Sequence, residues 1–217
     1  MFTLLKGYQY DEVPKKIFHH IHLPKCGGTT IDHIFQRFSF VSSNFHFFRF
    51  KYVNSENSDL NKLFLNENKF FFISGHTEEN FLDTINKNIF KFSIIREPVQ
   101  RLISHYKYEL FKNNKTPKDL VIKKFIENQA LQNKDNLMVR TFANVLDKDV
   151  VIDQNIAKNA VKNLMKLDLL ANLENWNILT NILISILNLP NILYSKFQKK
   201  NYNFEFIPSE EEKNLVK

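Results

Sequence analysis

Residues 16–30 read KIFHHIHLPKCGGTT and determine how the fold begins. The run from Lys16 to Leu23 predicts a short strand, which Pro24 and the pair Gly27-Gly28 end. From Thr29 onward the apolar residues recur with the period of an amphipathic helix, at Ile31, Ile34, Phe35 and Phe38. The stretch therefore predicts a strand, a glycine-containing loop and a helix in immediate succession.

Similar units follow along the chain. Further strands are predicted at Phe70 to Ser74, Lys91 to Ile95 and Leu167 to Leu173, and helices at 98–111, near 118–128, 134–143, 153–166 and 174–187. Residues 41–68 are polar and irregular, and they predict a loop that carries short helical pieces. Apolar strands separated by amphipathic helices are typical of a parallel sheet covered on both faces. The expected fold class is α/β, a P-loop-like three-layer domain with a central parallel sheet flanked by helices.

The chain has 217 residues and a mass of 25.8 kDa, which predicts a single domain over residues 1–217. The residues from Ser209 begin like a capped helix, yet the sequence stops at Lys217, so we expect a C-terminal truncation. The 30 Lys and Arg residues exceed the 23 Asp and Glu residues, for a net charge of +7 and a pI near 9.3. This balance favours anionic partners, such as nucleotides, sulfated polymers, nucleic acid or lipid headgroups, without choosing among them.

The composition also excludes several classes of protein. A single cysteine, Cys26, excludes an internal disulfide framework and a multi-cysteine metal site. The apolar run within residues 1–10 is too short for a signal peptide. The richest apolar stretch, Ile178 to Leu189, is shorter than the roughly 18 residues of a membrane span. We therefore expect a cytoplasmic protein without a membrane span.

The residues from Lys25 to Thr30, here called the anion loop, combine several groups that bind anions. Glycines let backbone N–H groups turn toward an anion, and the following helix adds its unpaired N–H groups and the positive end of its dipole. Lys25 supplies a mobile charge, and Thr29 and Thr30 supply hydroxyl donors. The alternative is an ordinary strand-to-helix turn. The loop is not a Walker A sequence, because its lysine precedes the glycines, and this disfavours a magnesium-dependent nucleotide hydrolase.

A second candidate for anion binding is residues 93–106, SIIREPVQRLISHY, here called the arginine segment. Arg96 follows a buried strand, at the edge where open α/β sheets bind ligands, and its guanidinium suits a phosphate. Ser104 lies eight residues further on, off the apolar stripe of the predicted helix, so its hydroxyl can face a ligand. The alternative makes Arg96 a structural partner of Glu97 and Ser104 part of the helix surface.

The two segments together, HLPKCGGTT and FSIIREPVQRLISHY, resemble the paired nucleotide signatures of sulfotransferases that use 3′-phosphoadenosine 5′-phosphosulfate (PAPS). The resemblance is closest to the carbohydrate group that includes heparan sulfate 2-O-sulfotransferase, and it covers about residues 16–190. It implies that Arg96 and Ser104 hold the 3′-phosphate of PAPS. Cys26 and Glu97 depart from the family pattern, which has Thr and Asp there. The resemblance further implies that the 5′-phosphosulfate is cradled by Lys25, Cys26, Gly27, Gly28, Thr29 and Thr30.

Sulfuryl transfer needs a base for the acceptor hydroxyl and positive charge near the leaving phosphate. His76 follows the strand that ends at Gly75, histidine is the commonest general base, and the resemblance also places a catalytic histidine in a Gly-His context. Lys25 is the expected electrostatic stabiliser. A loop histidine without a catalytic role is the alternative, and Glu78 or Glu79 could orient or replace His76.

Other polar residues are weaker candidates. His20 and His22 share one face of the first strand and could bind a metal, but the spacing suggests no third ligand, and packing or cofactor contact is favoured. We therefore expect no metal. Arg140 resembles an arginine of the family's site and, with Glu78, is a candidate for substrate binding.

The sequence thus predicts a sulfotransferase that moves a sulfuryl group from PAPS to a hydroxyl of an acceptor. The expected acceptor is a carbohydrate or another hydroxylated small molecule, and nucleic acid is not an expected partner. One alternative is an atypical nucleotide-dependent P-loop kinase. The other is a non-catalytic basic module that binds nucleic acid or acidic glycans.

Overall fold

The computed structural model describes residues 4–5, 17–50, 69–83, 88–131, 136–145, 147, 149–187 and 207–210. The strands are β1 (Leu4–Leu5), β2 (Ile17–Ile21), β3 (Phe45–Phe50), β4 (Phe70–Gly75), β5 (Ile89–Ile95) and β6 (Leu169–Asn172). The helices are α1 (Gly28–Val41), α2 (Pro98–Lys112), α3 (Ile122–Leu131), α4 (Leu137–Ala143), α5 (Gln154–Leu164) and α6 (Trp176–Ile186), with a 3₁₀ turn at Leu173–Asn175.

The strands form one sheet in the order β1-β6-β5-β2-β4-β3. All neighbours from β6 to β3 are parallel, and β1 pairs with β6 in antiparallel orientation. The central strand is β2, and its last residue, Ile21, is level with Gly75 of β4 and Ser93 of β5. The loops that follow these three strands therefore leave the sheet at the same edge.

The core explains why the strands are continuous apolar runs. Phe18, Phe72, Phe90 and Phe92 are fully buried in the largest cluster, which also includes residues of α1, α4, α5 and α6. A smaller cluster contains Ile17, Phe71, Ile73 and Leu82. Successive strand residues thus belong to different clusters, as the alternation of side chains in a strand requires. The sheet is covered on both faces, which confirms the predicted α/β class with a central parallel sheet.

The prediction missed two strands. Residues 45–50 form β3, although residues 41–68 were expected to be a loop with helical pieces. β3 lies at the edge of the sheet and only Phe45 is fully buried, so its sequence, FHFFRF, mixes polar and apolar residues and lacks the pattern of a buried strand. The two-residue β1 is too short to leave a periodic signal. Residues 51–68 lie outside the described part of the chain.

The helix boundaries shifted by a few residues. α3 begins at Ile122 rather than near 118, because Thr116 donates two hydrogen bonds to the Asp119 carboxylate and closes a turn there. α4 begins at Leu137, and residues 132–135 are outside the described ranges. Of the helix expected from Ser209, only residues 209 and 210 are described. Among the described helices, none has the length and hydropathy needed to cross a bilayer.

Candidate active site

A cavity of about 540 Å³ opens where β2, β4 and β5 end. The anion loop and the arginine segment, which are about 70 residues apart in the sequence, both contribute to its wall. The fold therefore brings the two candidate anion-binding segments together. Its described lining consists of His22, Pro24, Lys25, Gly27, Gly28, Thr29, Thr30, His33, Arg49, His76, Arg96, Ser104, Tyr108 and Leu173.

Two residues of the anion loop adopt left-handed backbone conformations, Lys25 with φ 68° and Gly27 with φ 87°. A lysine rarely adopts this conformation, whereas glycine does so without steric cost. Both glycines also lack room for a side chain. A Cβ on Gly27 would lie 2.6 Å from Leu173 Cδ1, and one on Gly28 would lie 2.2 Å from the His22 ring. The backbone of the loop therefore packs closely against Leu173 and His22, which restrict its conformation.

The N-terminus of α1 faces the cavity through Gly28, Thr29 and Thr30. The helix begins after Gly27 without a side-chain cap, and its first turn contains no acidic residue. A helix start of this kind carries exposed N–H donors and a partial positive charge. It is therefore well suited to an anion, as the sequence predicted for these residues.

The arginine segment contacts the anion loop directly. Arg96 follows β5, and its Nη1 donates to the carbonyl oxygen of Lys25 at 3.4 Å. Ser104 and Tyr108 lie on α2 and line the cavity. The ammonium of Lys25 lies 4.2 Å from the centre of the Tyr108 ring, a cation–π distance. Lys25 is thus positioned by contacts with Arg96 and Tyr108.

Glu97 caps the N-terminus of α2 and does not act as the structural partner of Arg96. Its two carboxylate oxygens accept hydrogen bonds from the backbone N–H groups of Val99, at 2.9 Å, and Gln100, at 2.7 Å. Pro98 occupies the first helical position, where its missing N–H has no partner to lose. The longer side chain of Glu97 therefore performs the capping role open to the Asp of the family pattern, and Arg96 extends toward the loop and cavity.

His76 lies one residue beyond β4 and lines the cavity. Its Nδ1 donates a hydrogen bond to the backbone carbonyl of His22 at 2.7 Å. A neutral imidazole with its proton on Nδ1 carries its lone pair on Nε2. Burial, together with the neighbouring His22 ring, lowers the pKa of His76 below its ordinary value. His76 is therefore neutral near pH 7, which is the state that a general base needs.

A profile described as the sulfotransferase family matches residues 9–212, which is most of the chain. The chain belongs to the sulfotransferase family. Among solved structures, the crystal structure of a sulfotransferase from Alicyclobacillus acidocaldarius is similar over 90% of this chain and 88% of that chain, with 11% identity and a TM-score of 0.46. No match was found among curated protein sequences.

Behind the cavity of this sulfotransferase lies a buried carboxylate, Asp32 of α1. Its Oδ1 accepts a hydrogen bond from the Ser74 hydroxyl, and its Oδ2 lies 3.3 Å from His22 Nδ1 and 3.2 Å from Arg49 Nε. Burial alone raises the pKa of Asp32, but the close contacts with His20 and His22 outweigh it, so the pKa lies well below the usual range. Asp32 is therefore ionised and anchors Arg49 at the cavity wall.

His20, His22 and Asp32 have ligating atoms within 4.8 Å of one another, so the fold supplies the third polar group that the histidine spacing did not reveal. The Asp32 carboxylate also contacts the Ser74 hydroxyl and the Arg49 guanidinium. The guanidinium already places a positive charge against Asp32, where a metal cation would have to bind. The contacts are those of a hydrogen-bonded network, and the absence of a metal stays a prediction.

Several residues proposed from the sequence lie elsewhere. Cys26 belongs to the anion loop, but its side chain is in the hydrophobic core and its N–H donates to the Leu23 carbonyl, so neither faces the cavity. Arg140 is buried and donates to the carbonyls of Asp147 and Val150. Glu78 is not among the lining residues. The binding roles expected of Cys26, Arg140 and Glu78 stay predictions.

Glu79, the other alternative base, is also occupied elsewhere. It is buried and accepts a hydrogen bond from Lys91 Nζ at 2.9 Å. Sequence reasoning missed Arg49, because β3 was not predicted and no sequence pattern relates Arg49 to its partner Asp32 on α1. The only available signal was an arginine within an otherwise aromatic run.

The described walls of the cavity carry three permanent cations, Lys25, Arg49 and Arg96, and no carboxylate. Such a lining suits a ligand with several negative charges. Magnesium prefers carboxylate and other oxygen ligands, often shared with phosphates. The described lining of the cavity therefore offers no carboxylate that could hold a magnesium ion.

Proposed function

We propose that the protein transfers a sulfuryl group from PAPS to a hydroxyl group of an acceptor. The observation that carries the proposal is the meeting of the anion loop, the arginine segment and His76 on one cationic cavity. The sequence predicts that the anion loop binds the 5′-phosphosulfate, that the arginine segment binds the 3′-phosphate and that His76 is the base. The family match is consistent with the reaction and does not name the donor.

The cavity offers groups for both phosphate positions of PAPS. The N-terminus of α1 and the side chain of Lys25 would hold the 5′-phosphosulfate. Arg96 and Ser104 would hold the 3′-phosphate, since both line the same cavity from the arginine segment. The lack of acidic residues in the described lining favours a ligand of this charge.

The residues act on a donor that supplies a sulfuryl group attached to a good leaving group, the 5′-phosphate. His76 accepts the proton of the acceptor hydroxyl on Nε2, while that oxygen forms a bond to sulfur and the bond from sulfur to the phosphate oxygen breaks. Lys25 and the N–H groups at the start of α1 stabilise the charge that develops on the phosphate. The proton ends on His76 and the electron pair on the departing phosphate.

The acceptor assignment rests on the motif resemblance. The anion loop and arginine segment resemble those of the heparan sulfate 2-O-sulfotransferase group, which points to a carbohydrate hydroxyl as the acceptor. We also treat residues 1–217 as one domain. Arg49 of β3 adds a positive charge to the cavity. Its side chain is 43% exposed and is accessible to a bound acceptor or donor.

The proposal predicts transfer of ³⁵S-labelled sulfate from PAPS to at least one compound in a panel of glycans, lipids and small phenols. His76→Ala is expected to lower turnover by roughly 10²- to 10⁴-fold, the usual contribution of a general base, while binding of 3′-phosphoadenosine 5′-phosphate (PAP) is retained. His105→Ala is the matched control, because the ring of His105, on α2, contacts Phe125 of α3 and His105 is not among the lining residues.

Two outcomes would contradict the proposal. Thermal stabilisation by Mg-ATP but not by PAP would favour the kinase alternative. Polymer binding that depends steeply on salt and survives both Lys25→Ala and Arg96→Ala would favour the non-catalytic basic module. Full turnover in His76→Ala would instead reject His76 as the base.

A further inference from the structure

Arg101 is a buried cation that has no anionic partner among the residues that the structure describes. It lies in the first turns of α2, and only 7% of its surface is exposed. Its Nε is completely buried and has no hydrogen-bond acceptor, and no carboxylate among the described residues pairs with the guanidinium. Burying a charged group without a partner is strongly unfavourable, so a residue of this kind requires an explanation.

The groups that could neutralise Arg101 do not do so. Glu97 lies one helical turn earlier, at the spacing of an ion pair, but both of its carboxylate oxygens cap α2. The Cys26 thiol lies close to Arg101, but burial raises the pKa of Cys26 to about 11, so the thiol is uncharged at neutral pH. The helix dipole adds to the cost, since Arg101 is near the positive end of α2.

The position of Arg101 relates it to the cavity. Arg101, Ser104 and Tyr108 follow one another at intervals of three and four residues, which places them on one face of α2. Ser104 and Tyr108 line the cavity, and Arg101 lies one turn nearer the helix start. There it is beside Cys26, whose side chain points away from the cavity and into the protein. Arg101 therefore lies behind the anion loop.

We propose that Arg101 is a buried counter-charge for the phosphate groups of the bound nucleotide, acting from behind the anion loop. This inference rests on the proposed function. Opposite charges attract strongly when little water separates them, so a direct contact is not required. Without nucleotide the buried guanidinium destabilises the fold, and nucleotide binding supplies the missing negative charge. The inference explains why a cation that pairs with no described carboxylate is tolerated in the interior.

The test compares Arg101→Met with the unaltered protein. Methionine has a similar unbranched shape and no charge, so the variant is expected to unfold at an equal or higher temperature without ligand. Its affinity for PAP, measured by calorimetry, is expected to fall roughly 10- to 100-fold, which is the effect of losing one unit charge if the separation is roughly 8 Å and the effective dielectric constant is about 20. If Arg101 were needed only for structure, Arg101→Met would unfold at a lower temperature than the unaltered protein.

Arg37→Met is the matched control, since Arg37 lies exposed on α1 and the substitution changes the net charge equally. It is expected to change the PAP affinity less than about twofold, because exposed charges at a distance are screened. If Arg101→Met folds poorly, Arg101→Lys and Arg101→Gln make the same comparison, with lysine expected to retain most of the affinity that glutamine loses.

The outcomes separate this inference from the proposed function. If the unaltered protein does not bind PAP, the proposed function fails. If it binds PAP and Arg101→Met binds equally well, or if lysine and glutamine variants bind alike, the role of Arg101 is rejected while the proposed function stands. A lower unfolding temperature for ligand-free Arg101→Met would also reject the inference.

Discussion

At the scale of single residues, the site depends on side chains and backbone groups that are held more tightly than a sequence motif indicates. Lys25 has a left-handed backbone conformation, and its ammonium lies over the Tyr108 ring. Gly28 leaves only enough space for the His22 ring, and the His22 carbonyl in turn orients His76. His22, which follows β2, therefore contacts both the anion loop and the proposed base His76.

Asp32→Asn is expected to lower the free energy of unfolding by about 3 kcal/mol, because it removes one partner of a buried charged network. The amide that replaces the carboxylate cannot balance the charge of Arg49, and its NH2 group cannot accept a hydrogen bond where the carboxylate faces Ser74 and His22 with two oxygens. Urea unfolding at pH 7 measures the change. Asp119→Asn, on the exposed surface, is the control and should lose much less. Equal losses in the two variants would contradict the role given to Asp32.

Residues of the site differed in how visible they were from the sequence. Lys25, Arg96, Ser104 and His76, which the structure places on one cavity, could be predicted because they occur in short motifs that follow predicted strands. Cys26 was predicted to bind the nucleotide because of its place in the motif. In the structure its N–H donates to the Leu23 carbonyl and its side chain packs in the hydrophobic core. The partners of Asp32, Arg49 and Arg101 come from distant strands and helices, so spacing along the chain could not reveal them.

At the scale of elements, three neighbouring strands place polar residues at one level of the sheet. Arg49 of β3, Ser74 of β4 and His20 of β2 are direct cross-strand neighbours. Asp32 reaches this row from α1. Since β3 was not predicted, the row could not be foreseen, although β2, β4 and β5 were each located within two residues by their apolar runs.

The buried histidines of β2 predict a loss of stability in acid. His19 is completely buried and hydrogen-bonded to Thr77, and burial followed by the charge of Lys91 lowers its pKa to about 3. Below about pH 6.5 the unfolded chain binds a proton at this position and the folded protein does not. Stability therefore decreases as the pH falls from 6.5 toward 3.

His19→Gln tests this expectation, because glutamine can keep a hydrogen bond to Thr77 but does not titrate. Between pH 6.5 and 5 the single histidine should account for about 2 kcal/mol of the decrease in unfolding free energy. Urea unfolding at the two pH values measures it for both proteins. An identical decrease in the variant would contradict the assignment.

At the scale of the whole molecule, the order of strands explains why one cavity collects the functional groups. The central β2 has β4 on one side and β5 on the other, and the three carboxyl ends deliver the anion loop, His76 and Arg96 to one edge. This is the usual place for a ligand in an open α/β sheet. Alternating apolar strands and amphipathic helices were sufficient to predict that architecture. The set of charges around the cavity could be identified only from the folded structure, because one of them, Arg49, lies on the unpredicted strand β3.

The central claim is that the anion loop and the arginine segment hold the two ends of one nucleotide. Calorimetry of PAP and AMP, which differ only by the 3′-phosphate, tests it most directly in the unaltered protein and in Arg96→Ala. We expect PAP to bind at least tenfold more tightly than AMP, as a charged hydrogen-bonded contact provides, and Arg96→Ala to remove most of that difference while AMP binding changes little. Equal affinities for PAP and AMP in the unaltered protein, or a preference for PAP that persists in Arg96→Ala, would contradict it.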